Sequence, residues 1–171
     1  MSTLKTSLIQ HPSAVDPAIE LDAAGKLWLA GGKVLQVVRA TDSTDRSTSS
    51  SSYVDANISV TITPQKSTSA IILIWATNVS VYVSSGTRAE SRYVITDSSN
   101  NIIGGLTRLA VQASSSTNII DSFMTLIRYD TPATTSAITY KGRFLLNNGT
   151  AADLLNGTFG AAQLYAIEVS A

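Results

Sequence analysis

Apolar and polar residues alternate along much of the chain, as they do in β-strands that bury one face. In the segment NISVTIT, Ile58, Val60 and Ile62 fall on one face, and Asn, Ser and Thr residues occupy the other. Pro64 and the pair Asn148-Gly149 supply turn signals between such segments. No long segment combines the three-to-four apolar spacing of a helix with helix-ending signals. The pattern therefore predicts an all-β protein.

Eight segments of strand length follow one another from Val34 onward, joined in the manner of consecutive hairpins. After the first, the predicted strands cover residues 57–63, 69–83, 88–96, 101–112, 118–130, 136–146 and 163–169. In the last of them, Tyr165, Ile167 and Val169 are expected to face the core. Eight is the strand number of a two-sheet jelly roll, so we predict one antiparallel, jelly-roll-like β-sandwich domain over residues 34–171.

The predicted strand 69–83 is apolar on both faces. Ile71, Leu73 and Trp75 lie on one face of this strand. The other face carries Ile72, Ile74 and Tyr82. A sandwich covers one face of each sheet, and the sequence offers no helix to cover the second. We therefore predict that Ile72, Ile74 and Tyr82 form a subunit interface.

The first 33 residues differ from the rest because they contain only short extended pieces separated by turn residues. Their apolar residues are too few to build a core, and they are Leu4, Ile9, Ile19, Leu21, Leu27 and Trp28. We predict that residues 1–33 form an extended arm that docks these side chains on another protein chain. The Ser/Thr-rich run 41–52 has almost no apolar residue, which predicts a flexible loop or a polar edge strand.

The charge of the chain excludes some partners. Twelve basic and twelve acidic residues among 171 give a net charge of zero, and Lys and Arg are nowhere concentrated. Binding to nucleic acid needs clustered basic groups, so we expect no nucleic-acid partner. The sequence has no long apolar span, so we expect no membrane insertion. A near-neutral surface also suits a subunit that ends in an assembly.

Candidate catalytic and metal-binding groups are sparse. The single histidine, His11, precedes a proline in the arm, and the chain has no cysteine. The carboxylates are scattered, so no pair is placed to work across one cleft as in a glycosidase. Asp42 and Asp45 are a faint calcium candidate and are better interpreted as a solvated turn. Gly104-Gly105 lacks the companions of a phosphate-binding loop. We predict no enzymatic activity, no cofactor and no metal.

Several stretches resemble a known group of proteins. The words TLKTSLIQHPSA and AIELDAAGKLWL resemble the segment that opens many tail-fibre and other appendage proteins of cyanobacterial and marine bacteriophages. The words SVTITP, SAIILI and LYAIEVSA are similar to a β-domain often found in the same proteins. The resemblance implies a virion component made in the host cytoplasm, often a homotrimer, with the arm on the particle and the β-domain outward.

These observations favour a short trimeric fibre or spike subunit that contacts a host surface glycan or a neighbouring protein. A capsid decoration protein is the alternative, and tail, portal-adjacent and capsid partners all stay open. A glycan-degrading spike enzyme and a free-standing lectin are the remaining hypotheses. The polar loop tips at Asn100, Asn101, Asn147 and Asn148 are the candidate receptor-contact positions, because loops on a rigid sandwich carry contacts. The same residues are also typical of plain hairpin turns.

Overall fold

The computed structural model describes residues 8–9, 19–21, 27–29, 33–84, 88–112 and 117–170, with the backbone alone for the first three ranges. All regular structure in these residues is β-strand. The strands are β1 (Leu8–Ile9), β2 (Ile19–Leu21), β3 (Leu27–Leu29), β4 (Val34–Asp42), β5 (Arg46–Thr48), β6 (Val54–Ile62), β7 (Ala70–Val83), β8 (Arg88–Asp97), β9 (Ile102–Gln112), β10 (Asn118–Asp130), β11 (Ile138–Asn148), β12 (Ala151–Leu154) and β13 (Ala162–Val169).

The predicted arm contains a small antiparallel sheet in the order β1-β2-β3. Strands β2 and β3 pair with Ile19 opposite Leu29 and Leu21 opposite Leu27. These two strands flank the sequence Asp-Ala-Ala-Gly at 22–25, where a hairpin turn is expected. Of the six apolar arm residues, five lie in these strands, whereas Leu4 and also His11 lie outside the described residues. Docking of the arm on a virion protein stays a prediction.

Strand β7 is the centre of a six-stranded antiparallel sheet. One edge of β7 pairs with β10 over its whole length, from Ile71 opposite Asp130 to Val83 opposite Asn118. The other edge pairs first with β13 and then with β12. Strand β4 lies outside β13, and the short strand β5 lies outside β12. The long, two-sided β7 thus supports every other part of this sheet.

A second antiparallel sheet has the order β6-β11-β8-β9 and packs on the first. The predicted all-β sandwich is therefore confirmed. The described part of residues 34–171 has ten strands where the alternation predicted eight, because β5 and β12 are only three and four residues long. Such short strands show too little alternation to be recognised. Strand β5 also shows that the polar edge strand was the right alternative for Arg46–Thr48 within the Ser/Thr-rich run.

Aromatic side chains fill the space between the two sheets. Trp75, Tyr93, Tyr140 and Phe144 are all buried. The rings of Trp75 and Tyr93 meet edge to face with centroids 6.4 Å apart. Gly142 on β11 makes room for this packing, since a Cβ there would lie 2.9 Å from the ring of Trp75. The core therefore depends on close contact between β7 and β11.

The last strand is rotated relative to the prediction. Leu164, Ala166 and Glu168 of β13 face the interior, whereas Tyr165 and Ile167 face outward, so the expected inward placement of Tyr165, Ile167 and Val169 was wrong. Pairing with β7 sets this orientation, because paired residues share a face and Leu164 lies opposite the buried Trp75. The buried carboxylate of Glu168 is compensated by hydrogen bonds.

Those hydrogen bonds come from the β6–β7 turn and from β4. The backbone N–H of Gln65 donates to Oε1 of Glu168 at 2.7 Å, and Nε2 of Gln36 donates to Oε2 at 2.6 Å. Burial raises the pKa of Glu168, but hydrogen bonds from Ser69, Gln36 and the turn outweigh it and hold this pKa below its usual value. Glu168 thus ties β13 to neighbouring strands in its ionised form.

Candidate interaction surfaces

The outer face of the six-stranded sheet is apolar over four neighbouring strands. Residues Ile72, Ile74 and Tyr82 of β7 point outward and are half-buried, which confirms that β7 has two apolar faces. Strand β10 places Tyr129 opposite Ile72 and Ile127 opposite Ile74. Phe123 follows on the same face of β10. The side chains of Phe123, Ile127 and Tyr129 are between 62% and 65% exposed.

Strands β13 and β4 extend this surface on the other side of β7. Tyr165 lies opposite Ile74, and Ile167 lies opposite Ile72. Val37 of β4 lies opposite Ile167 and is also exposed. We define the apolar face by these side chains, which are Val37, Ile72, Ile74, Phe123, Ile127, Tyr129, Tyr165 and Ile167. It spans four neighbouring strands of the sheet.

Charged groups on the apolar face lie at its margins. The guanidinium of Arg39 sits 5.8 Å from the centroid of the Tyr165 ring, in a cation–π contact. Asp121 lies on β10 opposite Ser80. Beside it, Phe123 and the exposed Phe159 line a shallow depression of about 240 Å³. The centre of the face is thus free of charge, and its margins carry Arg39, Asp121 and also Asp153 of β12, which lies opposite Ser80.

The outer face of the four-stranded sheet has the opposite character. Strand β6 presents Asn57, Ser59 and Thr61 to solvent. The hydroxyls of Thr61 and Thr139 lie 2.7 Å apart across the β6–β11 pair. On β8 and β9 the same face carries arginines around one carboxylate. The exposed large apolar side chains of this sheet are Ile102 and Leu106, both on the edge strand β9.

The candidate receptor-contact residues lie in two ordered turns. Asn100 adopts a positive φ of 68°, and its side-chain oxygen accepts a hydrogen bond from Nζ of Lys141 at 2.9 Å. The carboxylate of Asp97 accepts the backbone N–H of Asn101 at 2.8 Å and its side-chain amide at 2.7 Å. The Asn101 side chain is the largest cause of the lowered pKa of Asp97. Hydrogen bonds thus fix the shape of this turn.

The second pair of asparagines is far from the first. Asn147 and Asn148 end β11 before Gly149, which has a φ of 116°. Asn148 pairs with Glu90 near the start of β8, whereas Asn100 follows the end of β8 at Asp97. Asp97 lies seven positions after Glu90 on β8, which corresponds to a distance of roughly 23 Å at 3.3 Å per residue. The two turns therefore cannot form one contact site, and a receptor role for either stays a prediction.

The carboxylates considered for calcium are occupied by protein donors. Nη2 of Arg46 donates hydrogen bonds to Oδ1 and Oδ2 of Asp42, at 3.1 and 3.0 Å. Asp45 accepts Oγ1 of Thr158 and the backbone N–H of Gly157, both at 2.6 Å. These bonds, that of Thr158 above all, lower the pKa of Asp45. Asp42 thus closes the β4–β5 turn, and Asp45 holds this turn against the β12–β13 turn.

Two further kinds of feature, a metal-binding cluster and a membrane-spanning helix, are absent from the described residues. These residues contain no group of three or more His, Cys, Asp or Glu side chains that could hold a metal ion. In the same residues, no helix is long and apolar enough to cross a bilayer.

No family model and no curated protein matches the sequence. Among solved structures, the chain is similar to the enzymatically active domain of tailspike protein 4 of bacteriophage CBA120, with 11% identity and a TM-score of 0.30 over 80% of this chain and 18% of that one. It is also similar to VP2 of infectious bursal disease virus in a subviral particle, with 16% identity and a TM-score of 0.29 over 98% of this chain and 42% of that one.

A mutant form of the same VP2 in derived particles aligns with 16% identity and a TM-score of 0.27, over 96% of this chain and 40% of that one. The chain thus spans between about a fifth and two fifths of the length of these proteins. TM-scores this low carry no argument about the function of this chain.

Proposed function

We propose that this chain is a non-enzymatic structural subunit of a bacteriophage particle, a short fibre or spike that assembles as a homotrimer through the apolar face. The supporting observation is the exposure of Phe123, Ile127 and Tyr129 on β10, where Ile127 lies opposite Ile74 and Tyr129 lies opposite Ile72. Burying one such side chain stabilises an assembly by roughly 1.5–3 kcal/mol. A contiguous apolar patch of this kind is typical of protein interfaces.

A second copy of the same chain is the occupant that best fits the apolar face. The centre of the face has no charge, so two copies can meet there without leaving a buried ion unpaired. The net charge of the whole chain is zero, which removes long-range repulsion between copies. Closed symmetry is the usual form of such assemblies. The resemblance of the sequence to phage appendage proteins favours a threefold axis.

The same resemblance supports the placement in a virion. The words TLKTSLIQHPSA and AIELDAAGKLWL lie in the predicted arm, which we propose docks on another virion protein. The sandwich then faces outward, where it contacts a host glycan or a neighbouring subunit. In this arrangement the polar outer face of the four-stranded sheet stays in water.

The mass of the full chain in solution, measured by light scattering, tests the assembly. We expect three times the mass of one chain for the native protein. Ile127→Asp places a charge on the apolar face, between Phe123 and Tyr129, and should give the mass of one chain. Leu106→Asp is the matched control, because Leu106 is an exposed leucine on β9 of the other sheet. It should leave the trimer intact.

Other outcomes separate the alternatives. A native protein with the mass of one chain would contradict the self-standing trimer and favour a capsid decoration subunit that is ordered by the particle. A trimer that survives Ile127→Asp would place the interface elsewhere. A dimer that Ile127→Asp separates would retain the apolar face as the interface and reject the threefold assembly.

A further inference from the structure

The outer face of the four-stranded sheet carries three arginines around one buried carboxylate. Glu90 of β8 is only 1% exposed. Arg88 and Arg92 lie two residues before and after it, so all three side chains share one face of the strand. Arg108 of β9 lies directly opposite Arg92. The register of β8 and β9 thus gathers the four side chains.

Two of the arginines are bonded to the carboxylate, and the third is not. Nε of Arg92 donates to Oε1 of Glu90 at 2.8 Å. Nη2 of Arg88 donates to Oε2 of the same carboxylate. Nη1 of Arg108 lies 3.8 Å from Oε2, beyond hydrogen-bond distance. Glu90 therefore has a partner for each oxygen without Arg108.

The cluster has an excess of positive charge at neutral pH. Burial raises the pKa of Glu90, but the hydrogen bonds and charges of Arg92 and Arg88 outweigh it and hold this pKa below its usual value. Arginine is always protonated in proteins. Three guanidinium groups and one carboxylate leave two positive charges on a small area of a protein whose net charge is zero.

Arg88 and Arg108 line an open depression and present hydrogen-bond donors to it. The side chains of Arg88, Arg92 and Arg108 are 40%, 36% and 62% exposed. A depression of about 360 Å³ is lined by Arg88, Arg108, Ala110 and Gln112. Ala110 lies opposite Glu90, and its short side chain leaves the space between Arg108 and Gln112 unfilled. Each guanidinium has five N–H donors, so several stay available to a ligand.

We propose that this depression, the arginine site of Arg88, Arg108 and Gln112, binds carboxylate groups of an acidic polysaccharide. The proposal deepens the host-contact part of the proposed function and rests on it. The planar fork of arginine matches a carboxylate with two parallel hydrogen bonds. The Gln112 amide both donates and accepts, which suits the hydroxyls of a sugar ring. The ligand class is therefore a chain of uronic-acid sugars.

Two competing explanations make different demands on the structure. A nucleic acid needs basic groups along a track that follows many phosphates, whereas this chain is neutral overall and the arginines form one compact group. A purely structural role, in which the arginines only keep Glu90 ionised, requires Arg88 and Arg92. It does not require Arg108, whose guanidinium is not bonded to the carboxylate.

Titration calorimetry on the full chain tests the proposal with tetramers of galacturonate, mannuronate and glucuronate. At least one should bind, and its methyl ester, which has the same rings without the charge, should bind at least tenfold more weakly. Arg108→Gln should weaken binding of the acidic tetramer at least tenfold. Arg39→Gln removes the same group from the other sheet and should leave the affinity unchanged.

Several results would overturn the proposal. They are no binding of any of the three tetramers, equal binding of the methyl ester, an unchanged affinity after Arg108→Gln, and tighter binding of a single-stranded oligonucleotide. Light scattering on the same samples separates this test from that of the assembly. A trimer that binds no tetramer would reject the arginine site alone, whereas a single chain that binds would reject the trimer alone.

Discussion

The two sheets of the sandwich share one core, but their outer faces have opposite chemistry. On the six-stranded sheet, Ile127 and Tyr129 lie exposed beside Ile74 and Ile72. On the four-stranded sheet, polar residues of β6 and the arginines around Glu90 occupy the equivalent surface. The core needs only the inner faces, so the outer faces are free to reflect what each one contacts. We propose that the face of the six-stranded sheet associates with a partner and that the face of the four-stranded sheet contacts solvent or a ligand.

The two outer faces also differ in whether side chains of the same chain cover them. Glu90 is buried on an outer face because the arginine side chains cover it, with their apolar stems over the strand and their charged ends in water. No described element covers Phe123 or Tyr129, which are more than half exposed. One surface is therefore covered within a single chain, and we propose that a partner covers the other.

Glu90→Ala is expected to have the largest effect on the stability of the chain. Removing one partner of a buried ion pair typically costs about 3–5 kcal/mol. Arg88 and Arg92 are partly exposed and regain water, which reduces the expected loss in the free energy of unfolding to about 2 kcal/mol. Urea denaturation at a fixed protein concentration measures it. Arg108→Gln should change stability by less than about 0.5 kcal/mol, and a loss as large as that of Glu90→Ala would contradict the assigned roles.

High salt should weaken binding of an acidic tetramer at the arginine site by at least about tenfold and should leave the mass of the assembly unchanged. At about 1 M salt the screening length is roughly 3 Å, so binding of an acidic tetramer at Arg88 and Arg108 should weaken by at least about tenfold relative to about 0.05 M. Contacts between apolar side chains do not depend on charge, so the trimer mass should stay constant. Loss of the trimer at high salt would indicate that ion pairs hold the assembly.

Acid should weaken the fold through Glu90 and Glu168, by less than Glu90→Ala. Both carboxylates have a pKa in the folded chain below their usual value. Their contribution is present above the unfolded pKa of about 4.3 and is lost as the pH falls through the lower folded values. Unfolding free energies measured between about pH 6 and pH 3 should therefore fall, and Glu90→Gln should flatten this dependence. An unchanged slope in that variant would contradict an ionised Glu90.

Alternation along single strands predicted the fold class and the two-sided character of β7, but it did not fix the face of every strand. Both faces of β13 are apolar, so the larger Tyr165 and Ile167 were expected inside. Pairing with β7 decides the matter, since Leu164 lies beside the buried Trp75. This reversal adds Tyr165 and Ile167 to the apolar face. Long-range register of this kind is not encoded in any one segment.

The arginine site was missed for a related reason. The sequence Arg88-Ala-Glu90-Ser-Arg92 already places three charged side chains on one face of a strand, which was an available signal. The contribution of Arg108 depends on the β8–β9 register, where Gly104 and Gly105, both at positive φ, accompany a bulge beyond Tyr93. Here one residue of β8, Val94, lies opposite three residues of β9, so the pairing shifts by two residues, and alternation alone cannot place such a shift.

The difference between the two outer faces is tested most directly by the reactivity of a single introduced thiol, since the chain has no cysteine. Thr125→Cys places it between Phe123 and Ile127 on β10, and Ser59→Cys places it on β6. Both positions are exposed in the isolated chain. We predict that a maleimide labels the Thr125→Cys protein at least tenfold more slowly than the Ser59→Cys protein, and that adding Ile127→Asp abolishes the difference. Equal labelling rates in the native assembly would contradict an interface on the apolar face.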